Sequence, residues 1–425
     1  MIIKLDYGNT GLEVNINDKN ILDIVESKSV KAIANPKKAL VYSLRDPIGS
    51  LTLEKIIEGN KKICVVISDV TRAVPTKLIL EVLIGELESY GVGRDNITIL
   101  IATGLHRPNV GSELEGLVGK EIMQTYKIVN HNARDKESCS FIGKTERGTP
   151  IILNNVFLDS DFRILTGLIE PHFMAGFSGG RKSVCPGISY VDMFKHFHGP
   201  EILESPGASL AILKGNPFHE ESLEIAKKAE VDFIINVTIN KNKEVTGVFS
   251  GDLEEAFYKG ANFCLKNSRY KIKEESDIVI TSGGGFPLDA TLYQAVKGVV
   301  SAITAVKEGG MIIIASQCRE GIGSSEFVKL ITQEKDLNKF IQKIYNKNFF
   351  KIDQWELEEL AKARRKAEIY LFSEFISKDK YDIPCSTLKI VDSIQEVIDI
   401  GLEKYGKDAK MTVIPEGPYV VPMLN

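Results

Sequence analysis

Runs of aliphatic and β-branched residues, each ending in a short polar or glycine-rich loop and followed by an amphipathic stretch, recur along this chain. KKICVVIS (61–68), NITILIAT (96–103), DFRILTG (161–167) and VDFIINVTIN (231–240) form one series of such strands; DIVITS (277–282), MIIIAS (311–316), AEIYLFS and LKIV (388–391) form another. Helical periodicity fills the gaps: from about Thr76 through LILEVLIGELESYG, after Ser112 (placed to cap a helix), in GDLEEAFYKGANFCLKN, in ATLYQAVKGVVSAITAV, across 325–368, and in VDSIQEVIDIGLEKYG. Alternation of this kind demands mainly parallel sheets flanked by helices, an α/β class. A length of 425 residues leaves room for two such units. The polar, lysine-rich NSRYKIKEES (267–276) marks the boundary, giving an N-terminal domain over 1–270 and a C-terminal domain over 275–410. The tail from about 411 to 425 is expected to return to the first domain.

Composition excludes some functions. A formal net charge of −4 gives no general attraction to nucleic acid or anionic membrane, so basic residues must be read locally. No apolar run reaches the length of a membrane span. The start, MIIKLDYGNTGLEVNI, reads as a β-hairpin turning at Gly8–Gly11 rather than as a signal peptide. The six cysteines are scattered without a CxxC pair, which suits reduced thiols in a cytoplasmic protein and not a cysteine-based zinc site.

In open parallel sheets, ligands sit beyond the carboxyl ends of the strands. Here those ends carry Asp69-Val70-Thr71-Arg72, His106-Arg107, Glu170-Pro171-His172 and, in the second series, Gly283–Asp289; both domains thus aim unusual loops outward, and a cleft between them is the expected active site. The richest stretch is EPHFMAGFSGGRKSVCPGISYVDMFKHFH (170–198): three imidazoles, two amines and a guanidinium in one loop-helix unit, which packing alone does not explain. Arg72, Lys297 and the glycine-rich turns suit a phosphate or carboxylate, because arginine makes paired hydrogen bonds to such groups and glycine lets backbone N–H groups approach. His106 and His172 are strand-end imidazoles able to exchange protons near neutral pH, and His198 suits a borderline metal. His131 and His219 belong to no motif and are expected to be structural. Residue chemistry alone therefore specifies an enzyme for a small anionic molecule, with paired histidine acid/bases and metal assistance left open.

SDVTRAVP (68–75), ATGLHRP (102–108), EPHFMAGFSGGRKSVCPGI (170–188), GGFPLDATLYQAVKG (284–298) and DQW (353–355) together resemble the nickel-dependent lactate racemase family, over essentially the whole chain. The resemblance implies a racemase or epimerase of a 2-hydroxy acid, lactate by default or a larger acid, working by reversible hydride transfer through a 2-keto acid. It implies a nickel-pincer nucleotide (pyridinium-3,5-bisthiocarboxylic acid mononucleotide) joined to Lys182 through a thioamide and supplied by cofactor-biosynthesis proteins. By motif, His198 is the nickel ligand, with His196 two residues away as a competing imidazole. His106 and His172 are the acid/base pair. Asp69, Val70, Thr71, Arg72 and Pro186 contact the cofactor. Arg72, Tyr293, Gln294, Lys297 and Trp355 hold the substrate. Cys185 stands where the family's K-S-V-L-P-G pattern has leucine. Two other classes compete: a zinc hydrolase with His106, His172 and His198 as ligands, and a non-catalytic nucleotide-binding protein.

Overall fold

The computed structural model describes residues 1–57, 61–346 and 348–424. It divides the chain into a middle unit, Ser29–His198 with Ser205–Lys266, and a terminal unit, Met1–Lys28 with Gly199–Glu204 and Asn267–Asn425.

The middle unit is built on six strands in the order Val245–Gly251, Phe233–Ile239, Phe162–Leu168, Ile63–Ser68, Ile97–Ala102, Lys127–Asn130. All neighbours run parallel except the first pair, which is antiparallel. Ile63, Val65 and Ile67 alternate onto one face of the sheet and meet Ile79, Leu80, Leu83 and Leu87 of the helix Thr76–Ser89 in one core. Each such side chain removed from water contributes about 1.5–3 kcal/mol, which holds the helix to the sheet. From Ile63–Ser68 the chain steps outward to Ile97–Ala102 and Lys127–Asn130, then returns to lay Phe162–Leu168 on the other side. The order reverses between those two central strands, and the loops at their carboxyl ends diverge to leave room for a ligand. The helix expected to be capped by Ser112 starts at Gly111 instead, after Val110 and without a side-chain cap. Gly111 has φ +59, which lets the chain turn into the helix one residue early.

The terminal unit is an all-parallel sheet in the order Lys389–Val391, Ala367–Phe372, Val306–Ala315, Ser276–Ser282, Met411–Ile414, Ile21–Ile24. The expected α/β class with mainly parallel sheets is what the chain adopts. The domain limits differ from the expectation in two respects. Residues 1–28 do not belong with the N-terminal unit, because Ile21–Ile24 finds its hydrogen-bonding edge on Met411–Ile414. The tail does not return to the first domain either: Met411–Ile414 lies beside Ser276–Ser282, and Val421–Leu424 pairs with Arg269–Ile272. The expected hairpin forms, with Ile2–Leu5 antiparallel to Leu12–Asn15. Gly199–Glu204 also belongs here: Lys362 Nζ donates to Leu203 O at 2.6 Å and Arg365 pairs with Glu204 at 2.7 Å. Of the span 325–368 expected to be helical, Ser325–Gln333, Leu337–Ile344 and Gln354–Lys366 are helices, and Lys347 lies outside the described residues. Among the described residues no helix is long and apolar enough to cross a membrane.

Candidate active site

The loop after Ile63–Ser68 is organised by one buried carboxylate. Asp69 Oδ1 accepts from the Thr71 hydroxyl at 2.6 Å, and Oδ2 lies 2.7 Å from His106 Nδ1, on the loop after Ile97–Ala102. Burial works to raise the Asp69 pKa, but the hydrogen bonds from His106 and Thr71 and the Arg72 charge hold it below the ordinary value, so the group is a carboxylate at neutral pH. The Val70 N–H donates to Asn109 Oδ1 at 3.3 Å, which fixes this loop against the next. Arg72 reaches across the switch point to Glu170, 3.5 Å away. Both ends of that ion pair are partly exposed, so its worth is about 1 kcal/mol or less and its main effect is to aim the guanidinium.

Glu170–His198 forms a compact cradle on the end of Phe162–Leu168. Pro171–His172 pairs with Gly176–Phe177, and the turn between them folds back so that the Met174 and Ala175 N–H groups point at His172 Nδ1, 3.2 and 3.3 Å away. Gly176 has φ +74, and a Cβ there would lie 2.1 Å from Ile212 O, so only glycine fits. Gly179, at φ +79, runs beside Asn236, where a Cβ would lie 2.7 Å from Oδ1, and the same Oδ1 takes the Gly180 N–H at 3.0 Å. That turn starts the short helix Gly180–Ser183 that carries Lys182. The Gly104 N–H donates to Gly187 O at 3.0 Å, so the His106 loop and the segment containing Pro186 are joined directly.

Phe218 brings the next two groups together. Lys182 Nζ stands 5.5 Å from its ring centre, and the His198 ring meets the same phenyl edge-on at 5.3 Å. His198 caps the helix Val191–Phe197 and is buried, whereas His196, two residues away, is exposed. Burial first, and the Lys182 charge second, push the His198 pKa down to about 3. At neutral pH it is a neutral imidazole, the form that ligates a borderline metal. A neutral imidazole and a primary amine beside one phenyl ring fit the covalently held nickel nucleotide that the resemblance implies. Cys185 fills its position as a buried residue, with its thiol pKa raised by burial. Buried and neutral, it acts as a small hydrophobe.

The substrate-binding residues expected from the second domain cluster within the terminal unit. Thr291 caps the helix Leu292–Ala302 by accepting the Gln294 N–H. On that helix Lys297 Nζ donates to Gln294 Oε1 at 2.6 Å. Trp355, on Gln354–Lys366, donates its indole N–H to the Tyr293 hydroxyl oxygen at 2.8 Å. Next to it Glu356 is buried; desolvation raises its carboxyl pKa and the Lys297 charge opposes the rise.

Sequence reading missed Asn236, Glu356 and also Asn216, which donates to Met174 O in the turn over His172 at 2.9 Å. Their signal was available: Asn236 is a polar residue inside an otherwise apolar strand, and Glu356 adjoins DQW. His131 and His219 are structural, as expected. The first lies between Ser189 O and Asn154, the second against the Tyr258 hydroxyl.

The lactate racemase N-terminal domain family matches residues 7–211, and the lactate racemase C-terminal domain family matches residues 272–421. A lactate racemase of Thermoanaerobacterium thermosaccharolyticum is 34% identical over 99% of this chain and 98% of its own length. One from Lactiplantibacillus plantarum is 33% identical over 99% of each. The structure of the lactate racemase apoprotein from T. thermosaccharolyticum superposes with a TM-score of 0.93 at 32% identity, covering 100% of both chains. A Thermotoga maritima protein shares the fold, with a TM-score of 0.69 at 19% identity over 92% of this chain and 98% of that one.

Proposed function

The chain belongs to the lactate racemase family, and from that premise we propose that it interconverts the enantiomers of a 2-hydroxy acid, lactate first, with a nickel-pincer nucleotide held covalently by Lys182. The observation that carries this reading is the placing of Lys182 and a neutral, buried His198 around one ring, Phe218. When bound, the nucleotide supplies a hydride acceptor, so that the hydrogen on the carbinol carbon can leave and return with its electron pair. Such a hydrogen is too weakly acidic to leave as a proton, because an ionised carboxylate beside it gives no electron sink.

The protein's own groups do the rest. Asp69 orients His106, and His106 and His172 are the acid/base pair, one on either side of the substrate, each taking the hydroxyl proton of one enantiomer. Arg72, Gln294 and Lys297 hold the carboxylate, and Tyr293 and Trp355 wall the substrate, so the planar 2-keto acid can be reduced on either face before it escapes. Proteins that make the nucleotide are the partners this implies. A larger 2-hydroxy acid processed in the same way is the nearest variant. The zinc hydrolase gains no support: among the described residues no group of three or more His, Cys, Asp or Glu is arranged to hold a metal.

The test is to produce the protein with and without the cofactor-making enzymes. Loaded protein should show an intact-mass adduct, bound nickel and conversion of either lactate enantiomer to the racemate. Robust racemisation by unmodified, metal-free protein would overturn the reading, and adduct-bearing protein inert on every 2-hydroxy acid would leave a nucleotide carrier.

A further inference from the structure

The largest fully buried side chain among the described residues is a cation without a carboxylate partner. Arg181, 1% exposed, precedes Lys182 in the short helix Gly180–Ser183. Burial pushes its pKa down to about 9, which leaves it charged at neutral pH, and the one acidic group that bears on it is the Tyr258 phenol. His219, kept neutral by burial and then by the Arg181 charge, adds no second cation. The guanidinium is met instead by a ring and two carbonyls. Its centre stands 4.3 Å from the centre of the Phe257 ring, Nη2 donates to Ala175 O at 2.7 Å, and Nη1 donates to Gly179 O at a longer 3.4 Å. A charge in the interior is costly, and an apolar side chain of similar length would fill this space without that cost. What an apolar chain cannot do is bridge two backbone segments with one planar fork.

Those two segments carry different parts of the site. Ala175 belongs to the turn whose Met174 and Ala175 N–H groups point at His172 Nδ1. Gly179 opens the turn into the helix of Lys182 and accepts the Lys182 N–H at 3.2 Å. That second turn is fixed without Arg181. Asn236, on the strand Phe233–Ile239, takes the Gly180 N–H at 3.0 Å, and the Gly187 N–H donates to Lys182 O at 3.1 Å. We infer that Arg181 is a positioning residue that carries this fixed frame across to the His172 turn, setting the imidazole in register with the lysine that bears the cofactor. The roles of His172 and Lys182 rest on the racemase reading, whereas the span between the two turns rests on the hydrogen bonds. Buried Asn216 also holds the His172 turn, through Met174 O at 2.9 Å, so loss of the guanidinium loosens that turn without unfolding it. Lys182 keeps its own backbone contacts and still forms its adduct. An acid/base group displaced by about 1 Å loses up to about 100-fold in rate.

Two substitutions separate this role from the filling of space. Arg181→Met keeps the length and removes the charge with both hydrogen bonds; Arg181→Lys keeps the charge and loses the fork. Hydrogen exchange of cofactor-free protein should rise at least about tenfold over 172–178 in both variants, with Phe162–Leu168 as protected as in wild type. Loaded variants should carry the adduct mass, keep KM for lactate within about threefold and lose about 10- to 100-fold in kcat with either enantiomer. Faster exchange with kcat intact would leave a merely structural arginine and overturn the inference. Unchanged exchange, loss of the Lys182 adduct, or full activity in Arg181→Lys would overturn it equally, the last because charge alone would then suffice. Should Arg181→Met fail to fold, Arg181→Lys carries the same comparison. A loaded wild-type enzyme that turns over no 2-hydroxy acid sinks the racemase reading instead, and exchange in cofactor-free protein still decides whether the guanidinium holds the His172 turn.

Discussion

At the scale of single residues, the proposal divides labour between Lys182 and His198 in a way that mass and metal content can separate. Lys182→Ala removes the amine that forms the thioamide, so the intact mass should lose the adduct seen in wild type. Persistence of the adduct would move the attachment to another lysine, Lys195 first, although that side chain is exposed and paired with Asp192 at 2.8 Å. His198→Ala should keep the adduct and lose nickel. An adduct-bearing His198→Ala protein with full nickel would show that His198 is not the nickel ligand. The Asp69–His106 pair predicts a third result. Asp69→Asn offers an amide N–H to Nδ1 and favours the wrong imidazole tautomer, so racemisation should fall by about 10²- to 10⁴-fold in both directions while nickel content stays unchanged.

Elements explain why some of this was readable before any coordinates and some was not. The loops at the ends of Ile63–Ser68, Ile97–Ala102 and Phe162–Leu168 could be located because buried parallel strands announce themselves as aliphatic runs, and a ligand-binding loop begins where the run stops. The glycines of Glu170–His198 were visible as glycines, but which of them the backbone requires was not. The structure singles out Gly176, where positive φ and the nearby Ile212 carbonyl coincide. Gly176→Ala should therefore cost at least about 1–3 kcal/mol from backbone strain alone. Urea unfolding would show this, and an unchanged midpoint would mean that the turn over His172 yields readily. Partners of short strands were beyond the sequence. Ile21–Ile24 and Met411–Ile414 span four residues each, too few for periodicity to name a neighbour, and the expected return of the tail failed for that reason. The Ser112 cap failed on a similar local competition, since Gly111 turned the chain first.

The whole molecule carries two opposed acid–base loads. In the middle unit burial depresses His131 to about 4, while burial and then the Arg181 and Lys227 charges depress His219 to about 3. These rings fold neutral and the unfolded chain binds the extra protons, so their contribution is intact above about pH 6.5 and is lost as pH falls towards 4 and 3. The slope is about 1.4 kcal/mol per pH unit for each histidine within that window. In the terminal unit burial raises Glu356, Glu358 and Glu359, the last to about 7 with Lys362 opposing the rise. Their contribution has the reverse sign: present below the ordinary carboxylate range and lost as pH rises through about 7. Acidification from about pH 7 to 5 should thus weaken hydrogen-exchange protection in 29–198 and 205–266 relative to 267–424, after correction for intrinsic rates. Equal shifts in both units would contradict this account. The edge strand Ile21–Ile24 has one further consequence, for the chain as it is made. Its partner Met411–Ile414 leaves the ribosome roughly 20–80 s later at about 5–20 residues per second. The middle unit is complete once Lys266 has emerged and can fold on the nascent chain, while Ile21–Ile24 waits with that edge of its backbone uncovered until Met411–Ile414 arrives to receive it.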